Sequence, residues 1–165
     1  MRKVRIVFEK DKGFMAWLIC WLTKGDVNHC AFVYESTDWG VPWVAEAAVK
    51  GVRTVPERGR KWQHVFEVLY PIADDVRAEQ KLIGESYDFA GFFLFGWILL
   101  VWRLLKVKLR RPHRNTSGQF CSEFVARVLV RHGFELDPQW TDPKDLEDAL
   151  RANPDKFKEL VDANE

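Results

Sequence analysis

Cys121 lies where a helix is expected to begin. The apolar residues that follow it have the spacing of one helical face: Phe124, Val125, Val128 and Leu129. In the first turn of such a helix, unpaired N–H groups and the positive end of the helix dipole stabilise a thiolate. A thiolate beside an imidazole is a nucleophile at neutral pH, so Cys121 is the candidate nucleophile. The alternative is an unreactive core residue, since free cysteine is among the most buried residue types.

His29 and Glu46 are the candidate base and orienting acid, because a thiol hydrolase needs both groups. Residues 28–35 are rich in β-formers and predict a strand. The period of two in a strand makes Cys30 face away from His29, so Cys30 is a poor partner for it. Glu46 is embedded in the apolar run 44–48, which predicts the next strand, and a carboxylate in such a run requires a reason.

The turn between these two strands decides how far His29 lies from Glu46. A hairpin that turns between Thr37 and Asp38 places the two residues directly opposite, with Cβ atoms about 5 Å apart. A turn centred later in the segment offsets them. Glu35 is a rival carboxylate on the His29 face, but it lies roughly 20 Å along the same strand, too far to orient the ring.

Other polar residues receive weaker predictions. His64 in a strand and His132 near a helix end are expected to be structural or surface residues, and His113 in a basic loop is a minor candidate for the site. An acyl-transfer site also needs donors for an oxyanion. The first N–H of the cysteine helix is one candidate donor, and the side chains of Asn28 and Gln119 are candidates for the second.

The remaining segments predict an α+β domain with a small antiparallel sheet packed against helices. Strands are also expected at 51–55 and 63–69, which with those at 28–35 and 43–49 give an antiparallel sheet of about four strands, and a short first strand is expected at 4–9. Helices are expected at 14–23, 74–85 and 89–102, after Cys121, and from Pro143 with Thr141 or Asp142 as cap. No repeat or linker divides the chain, so we expect one domain over residues 1–165, with a flexible tail from about residue 153.

Composition indicates a globular protein of a reducing compartment. The 165 residues are 47% hydrophobic and carry a formal net charge of +1, which excludes disorder and selects no partner. The three cysteines lack zinc or disulfide spacing, so we expect no metal and no cofactor, and the cytoplasm is favoured. No apolar stretch of a signal peptide follows the basic start, because the charged residues 9–12 interrupt it.

An apolar segment beside a basic run indicates contact with membranes. Residues 89–102 carry no charge, whereas residues 103–114 carry six cations and no acid. The apolar part is shorter than the ~20 residues that span a bilayer, so we expect peripheral binding to an anionic membrane. Ordinary core packing beside a solvated loop is the alternative. Nucleic-acid binding is not expected, because the basic run has little aromatic interleaving.

Several short motifs follow one another from about residue 14 to residue 150. They are the apolar helix 14–23, Asn28-His29-Cys30-Ala31-Phe32-Val33, Val44-Ala45-Glu46-Ala47 with Gly51-Val52, Tyr87-Asp88, Phe120-Cys121-Ser122-Glu123-Phe124-Val125, and Asp142-Pro143-Lys144-Asp145-Leu146. The ordered set resembles the circularly permuted NlpC-type branch of the papain-like cysteine hydrolases, the group of YiiX-like and lecithin:retinol acyltransferase-like proteins. In that branch the histidine strand comes first and the cysteine helix last.

The resemblance implies a permuted papain-like fold with Cys121 as nucleophile, His29 as general base and Glu46 as the residue that orients it. It implies a cysteine hydrolase or acyltransferase acting on an amide, ester or thioester, and the apolar segment suits an acylated or membrane-borne substrate. Asn28 stands where the family usually has Ser, and the Phe-Cys-Ser-Glu sequence differs from the acyltransferase signature, which favours the YiiX-like side. The alternative is a non-enzymatic membrane-surface or partner-binding protein on the same scaffold, which a large separation of Cys121 from His29 would favour.

Overall fold

The computed structural model describes residues 3–35, 41–48, 50–72, 76, 83–84, 87–105 and 120–160. Within these residues the helices and strands are β1 (Val4–Glu9), α1 (Phe14–Thr23), β2 (His29–Glu35), β3 (Pro42–Ala48), β4 (Gly51–Pro56), β5 (His64–Val68), α2 (Phe89–Leu105), α3 (Cys121–Arg131), α4 (Pro143–Arg151) and β6 (Phe157–Leu160). The expected helix at 74–85 and most of the basic run lie outside the described residues, apart from positions 76, 83, 84 and 103–105.

A single antiparallel sheet organises the described strands, in the order β4-β3-β2-β1-β5-β6. The α+β class with an antiparallel sheet is therefore confirmed. The sheet is larger than expected, because β1 lies at its centre and β6 adds an edge. The tail was expected to be flexible from about residue 153, but residues 157–160 pair with β5 and Phe157 is buried.

The register of β2 and β3 offsets His29 from Glu46. Val33 pairs with Val44 and Phe32 with Ala45, so the same register continued places Glu46 opposite Ala31. Glu46 is thus on the His29 face but two residues along the strand, a diagonal neighbour rather than the directly opposite one. Diagonal neighbours on a sheet are still within reach of long side chains.

One face of the sheet forms the main core against α3 and α4. Phe32 of β2 meets Phe124 of α3 edge to face at 6.1 Å between ring centroids, and Leu129 and Leu146 are fully buried in the same cluster. The apolar side of α3 packs on β2 and β3, which fixes the start of this helix over the beginning of β2. The cap of α4 is Asp142, whose carboxylate accepts from the Asp145 N–H at 2.8 Å, as one of the two expected caps.

α1 and α2 pack against each other and leave apolar side chains in solvent. The side chains that are more than half exposed are Phe14, Trp17, Phe93, Trp97, Leu104 and Leu105. α1 ends at Thr23, and Lys24 takes the left-handed conformation (φ 59°) just before Gly25. Among the described residues, no helix is both long and apolar enough to cross a membrane.

Candidate active site

Cys121 is the first residue of α3, as the spacing of apolar residues predicts. The cap residue Phe120 is extended and makes no side-chain capping hydrogen bond. The Cys121 thiol lies 3.9 Å from the Asn28 carbonyl oxygen, so it is at the beginning of β2. Ser122 donates to the Thr141 carbonyl at 2.7 Å and ties the start of α3 to the segment before α4. The nucleophile candidate is therefore held in a rigid part of the core.

His29 and Glu46 meet in spite of their diagonal register. The distance from His29 Nε2 to Glu46 Oε2 is 2.8 Å, and Glu46 is fully buried. Because the carboxylate accepts from Nε2–H, Nδ1 is the nitrogen left for the thiol, and His29 and Cys121 line the same cleft. The structure thus brings together the three predicted site residues, whereas Glu35 is exposed at the other end of β2.

Two arginines also bind the Glu46 carboxylate, Arg53 at the oxygen away from His29 and Arg60 at the same oxygen as His29. Arg53, directly opposite Glu46 in the β3–β4 pair, donates to Oε1 through Nε at 2.9 Å and Nη2 at 2.6 Å. Arg60 donates to Glu46 Oε2 at 2.8 Å and also reaches Glu9, the register partner of His29 in β1, at 2.8 Å. A buried carboxylate is tolerated when it is paired and hydrogen-bonded, and this is the reason for Glu46 in its apolar strand.

These contacts set the proton affinities of the site. Burial alone would raise the pKa of Glu46, but hydrogen bonds from His29, Arg60 and Arg53 outweigh it and lower the pKa to about 2. Burial likewise disfavours protonated His29, yet its bonds to Cys121 and Glu46 raise the pKa of the imidazole to about 10. The site therefore favours a protonated imidazole beside an ionised carboxylate.

Cys30 contributes to the state of the Cys121 thiol, which sequence reasoning missed. A hydrogen bond from Cys30 is the largest influence that lowers the pKa of Cys121 well below its usual value, and the contact with His29 adds to it against the cost of burial. Burial and the neighbouring thiol raise the pKa of Cys30, which stays protonated as a donor. As expected, Cys30 points to the face of β2 opposite His29. α3 packs against that opposite face, where Cys30 lies.

The arginines could have been found from the sequence only with the correct register. Arg53 follows from the β3–β4 hairpin, since the pairing of Ala48 with Gly51 makes it the partner of Glu46. Arg60 comes from the segment between β4 and β5, whose path no periodic pattern indicates. Cys30 could have been recognised from α3 packing on its face of the sheet.

The candidates for the second oxyanion donor have different outcomes. The Asn28 side chain donates to the Asp11 carbonyl at 3.2 Å and accepts from the Asp11 N–H at 3.1 Å, and its amide also faces Cys20 Sγ at 3.9 Å. Both amide hydrogens are thus committed, and Asn28 is a structural clamp rather than an oxyanion donor. Gln119 lies outside the described residues.

Cys121 opens on a polar cleft and on a small apolar cavity. The cleft, of about 610 Å³, is lined by His29, Glu46, Arg53 and Tyr87 among others. The cavity, of about 40 Å³, is lined mainly by apolar side chains of α1, α2 and the start of α3: Ile19, Leu22, Leu99 and Phe120. Tyr87 borders both spaces, although its sequence context predicts only packing.

The other histidines have separate positions. His132 caps the end of α3 and lies 5.2 Å from the Tyr70 ring, which is a structural place, as expected. His113 lies outside the described residues. His64 belongs to a charged cluster at the start of β5, away from Cys121.

No family model matches the sequence, and no curated protein is significantly similar to it. The function must therefore be argued from the geometry of the site.

Proposed function

We propose that the protein is a cysteine-dependent hydrolase or acyltransferase with a Cys121–His29–Glu46 triad. The observation that carries the proposal is that the hydrogen-bonded pair of His29 and Glu46 lines one cleft with the Cys121 thiol at the start of α3. The strand with the base precedes the helix with the nucleophile, in the order of a permuted papain-like enzyme. The sequence motifs resemble those of papain-like enzymes, and this order of the elements supports the resemblance.

In the proposed reaction, the Cys121 thiolate attacks the carbonyl carbon of an amide, ester or thioester. The negative charge on the carbonyl oxygen is stabilised by the backbone N–H of Cys121 and by the positive end of α3. Collapse of this intermediate breaks the bond to the leaving group, which takes a proton from the His29 imidazolium, and an acyl-thioester remains on Cys121.

The second half of the reaction releases the acyl group. Neutral His29 takes a proton from water, or from an acceptor alcohol or amine, as its oxygen or nitrogen attacks the thioester carbon. Cys121 leaves as a thiolate, and His29 is again protonated. Glu46 holds the ring so that Nδ1 faces the thiol, and Arg53 and Arg60 hold Glu46 in its ionised form.

The surroundings of Cys121 support a substrate with an apolar acyl group. The cavity beside the thiol is lined by Ile19, Leu22 and Leu99 of the two helices that also present apolar side chains to solvent. The cleft also borders Ala16, Ile19 and Phe93 of these two helices, so an acyl chain lying along them is beside Cys121. The substrate is therefore proposed to be acylated and membrane-borne.

The experiment that tests the function is a search for the acyl-enzyme. The purified protein is incubated with matched series of acyl esters, acyl thioesters and amides of rising chain length, and intact mass is recorded over time. We expect an adduct on Cys121 whose formation quickens with acyl chain length and which is absent from Cys121→Ala. Product release without an adduct, or equal turnover by Cys121→Ala, would contradict the proposal.

The non-enzymatic alternative is weakened by the contact between the thiol and the imidazole. A binding protein on this scaffold has no use for a thiol whose pKa is lowered by two neighbours. His29→Ala separates the readings, because it should abolish turnover and leave membrane binding unchanged if the triad is catalytic.

A further inference from the structure

Behind the His29–Glu46 pair lies a second ion pair, formed by Glu9 of β1 and Arg60 of the segment before β5. The Arg60 guanidinium donates through Nη2 to Glu9 Oε2 at 2.8 Å and through Nη1 to Glu46 Oε2 at 2.8 Å. Glu9 is also the register partner of His29 in the β1–β2 ladder. Directly opposite residues share a face of the sheet, with Cβ atoms about 5 Å apart, so the Glu9 side chain extends from the sheet beside the imidazole.

Arg60 and His29 bind the same oxygen of Glu46. His29 Nε2 and Arg60 Nη1 are each 2.8 Å from Oε2, so these two nitrogens are at most twice that distance apart. A cation this close disfavours a second positive charge and opposes the attraction of the carboxylate for the imidazolium. Arg53 donates to the other oxygen, Oε1. Arg60 is therefore the arginine that competes directly with His29.

Three contacts hold Arg60 in this position. Besides the two carboxylates, its guanidinium lies over the Trp62 ring, 4.8 Å from the centroid, and Trp62 is buried. Burial disfavours the charged guanidinium, but the hydrogen bond and charge of Glu46, followed by those of Glu9, raise the pKa of Arg60, so it stays a cation. The side chains of Arg60 and Glu9 are 24% and 18% exposed, so water screens their charges only in part.

The charges that face the imidazole are balanced when His29 is neutral. They come from β1, β3, β4, the segment before β5 and α3, as Glu9, Glu46, Arg53, Arg60 and Cys121. Two carboxylates match two guanidinium groups, so a protonated imidazole is an excess positive charge unless the Cys121 thiolate faces it.

Other titratable groups line the same cleft. Asp11, Lys12 and Lys50 are exposed, so water and salt screen their charges. Burial raises the pKa of Tyr87, so its hydroxyl stays neutral. The balance at His29 is therefore set mainly by the two ion pairs and the thiol.

We propose that Glu9 and Arg60 are positioning residues that act through Glu46 to set how readily His29 gives up its proton. The inference rests on the proposed function, in which His29 is protonated when it meets the leaving group and neutral when it activates water. Acylation of Cys121 removes the thiolate, so a protonated His29 is then in excess and loses its proton. Without Arg60, two carboxylates would face Arg53 alone and would keep His29 protonated in the acyl-enzyme, which would slow release of the acyl group.

The test measures the proton affinity of His29 in a Cys121→Ala background, which lacks the thiolate that raises the pKa of the imidazole. The ring signals of His29, assigned with His29→Ala, are followed by NMR through a pH titration. Arg60→Gln should raise the pKa of His29 by about one pH unit and Glu9→Gln should lower it by about as much, because charges at this range shift a pKa by about 1 to 3 and both side chains are partly screened. The double variant should return close to the parent.

Arg5→Gln and Arg60→Lys are the controls. Arg5 pairs with Glu57 at 3.4 Å and lies on the same face of β1 as Glu9 but four residues away, roughly 13 Å along the strand, so its variant should leave the pKa of His29 unchanged. Arg60→Lys keeps the positive charge and should raise the pKa less than Arg60→Gln does. Circular dichroism checks folding, and Glu9→Gln carries the test alone if Arg60→Gln does not fold. Unchanged values, or shifts of both variants in the same direction, would show that the pair only stabilises the fold.

The same variants in protein that retains Cys121 connect the ion pair to the reaction. Arg60→Gln should move the pH at which release of the acyl group is half-maximal upwards, and Glu9→Gln should move it downwards. Opposite pKa shifts in a protein that forms no acyl-enzyme would support the ion-pair inference and refute the proposed function, so the two failures are distinguishable.

Discussion

At the scale of residues, Glu46 combines two tasks in a single buried carboxylate. Oε2 accepts from His29 and Arg60, while Oε1 accepts two bonds from Arg53. The arginines keep the carboxylate ionised, and the ionised carboxylate keeps His29 protonated. The proposed catalysis and the stability of the fold therefore depend on the same group.

Glu46→Gln is expected to lower both turnover and stability. The amide removes the negative charge that two arginines and the imidazole share, which should cost roughly 3 kcal/mol in the free energy of unfolding, because Arg53 and Arg60 remain partly exposed. Urea unfolding measures this change at pH 7. Unchanged kinetics in a folded Glu46→Gln protein would remove Glu46 from the mechanism.

The same contact predicts a pH dependence of stability. The pKa of Glu46 falls from 4.5 to about 2 on folding, so its contribution is complete above pH 4.5 and is lost as the pH falls towards 2. The stability difference between the wild type and Glu46→Gln should therefore shrink over this range. A difference that stays constant from pH 5 to pH 2 would contradict the ion-pair account.

Cys121 should react at a lower pH than an ordinary thiol. Because its pKa is lowered, the thiolate persists as the pH falls, and its alkylation by iodoacetamide should change little between pH 8 and pH 6. A free thiol with a pKa of about 8.5 would slow by roughly 80-fold over this interval. Peptide mapping of the alkylated protein identifies the site, and Cys121 is expected to react before Cys20 and Cys30.

His29→Ala should restore the steep pH dependence and slow Cys121 at neutral pH, because one of the two partners of the thiolate is lost. Faster labelling of Cys20 or Cys30 in the folded wild-type protein would show that Cys121 is not the activated thiol.

At the scale of elements, α1 and α2 form the apolar surface that the membrane proposal needs. Phe14 and Trp17 of α1 lie 5.9 Å apart between ring centroids, and Trp97 of α2 is 60% exposed. Aromatic side chains of this kind favour the interface of a bilayer. Trp102 is the other tryptophan of residues 89–102 expected at the interface, and its side chain is outside the described part of α2.

Trp97→Ala and Trp17→Ala are expected to weaken binding to anionic vesicles. The basic run adds about 1 kcal/mol per cation at low salt, whereas insertion of the aromatic side chains resists salt. Vesicle sedimentation should therefore show binding that persists in part at high salt and falls in both variants. Leu69→Ala, which changes an exposed apolar residue outside these helices, is the control, and no binding at low salt would reject the membrane proposal.

What the sequence could predict depends on how local the signal is. The start of α3 at Cys121 and the Asp142 cap follow from patterns within a few residues, and both are confirmed. The offset between His29 and Glu46 could not be predicted, because it depends on the length of a turn that has no strong type signal. The Cys30 contact and the cluster around His64 depend on packing between distant segments, which periodicity does not report.

At the scale of the whole molecule, β6 packs onto the main core through Phe157. Phe157 is buried, with its ring 5.2 Å from Phe134 and 5.8 Å from Tyr70. The polar composition after Asn153 hides this role, since β6 contributes one apolar residue to each face of the sheet, Phe157 to the main core and Leu160 to the other face.

Phe157→Ala should therefore destabilise the protein by about 3 to 5 kcal/mol through lost burial and a cavity. Thermal or urea unfolding measures the change. Lys158→Ala, on the exposed side of the same strand, should alter stability by less than about 0.5 kcal/mol. A Phe157→Ala protein as stable as the wild type would show that the end of the chain is not part of the core.

The hydrogen bonds between Asn28 and Asp11 link the position of His29 to the position of α1. Asn28 immediately precedes His29, and its side chain holds both backbone hydrogen-bonding groups of Asp11, which leads into α1. A displacement of α1 would therefore reach the imidazole through the backbone of residues 11–13, which leads into α1, and through these two hydrogen bonds. Under the proposed function, α1 is therefore a lever arm on the imidazole, and a load on the apolar surface of α1 would shift the proposed base.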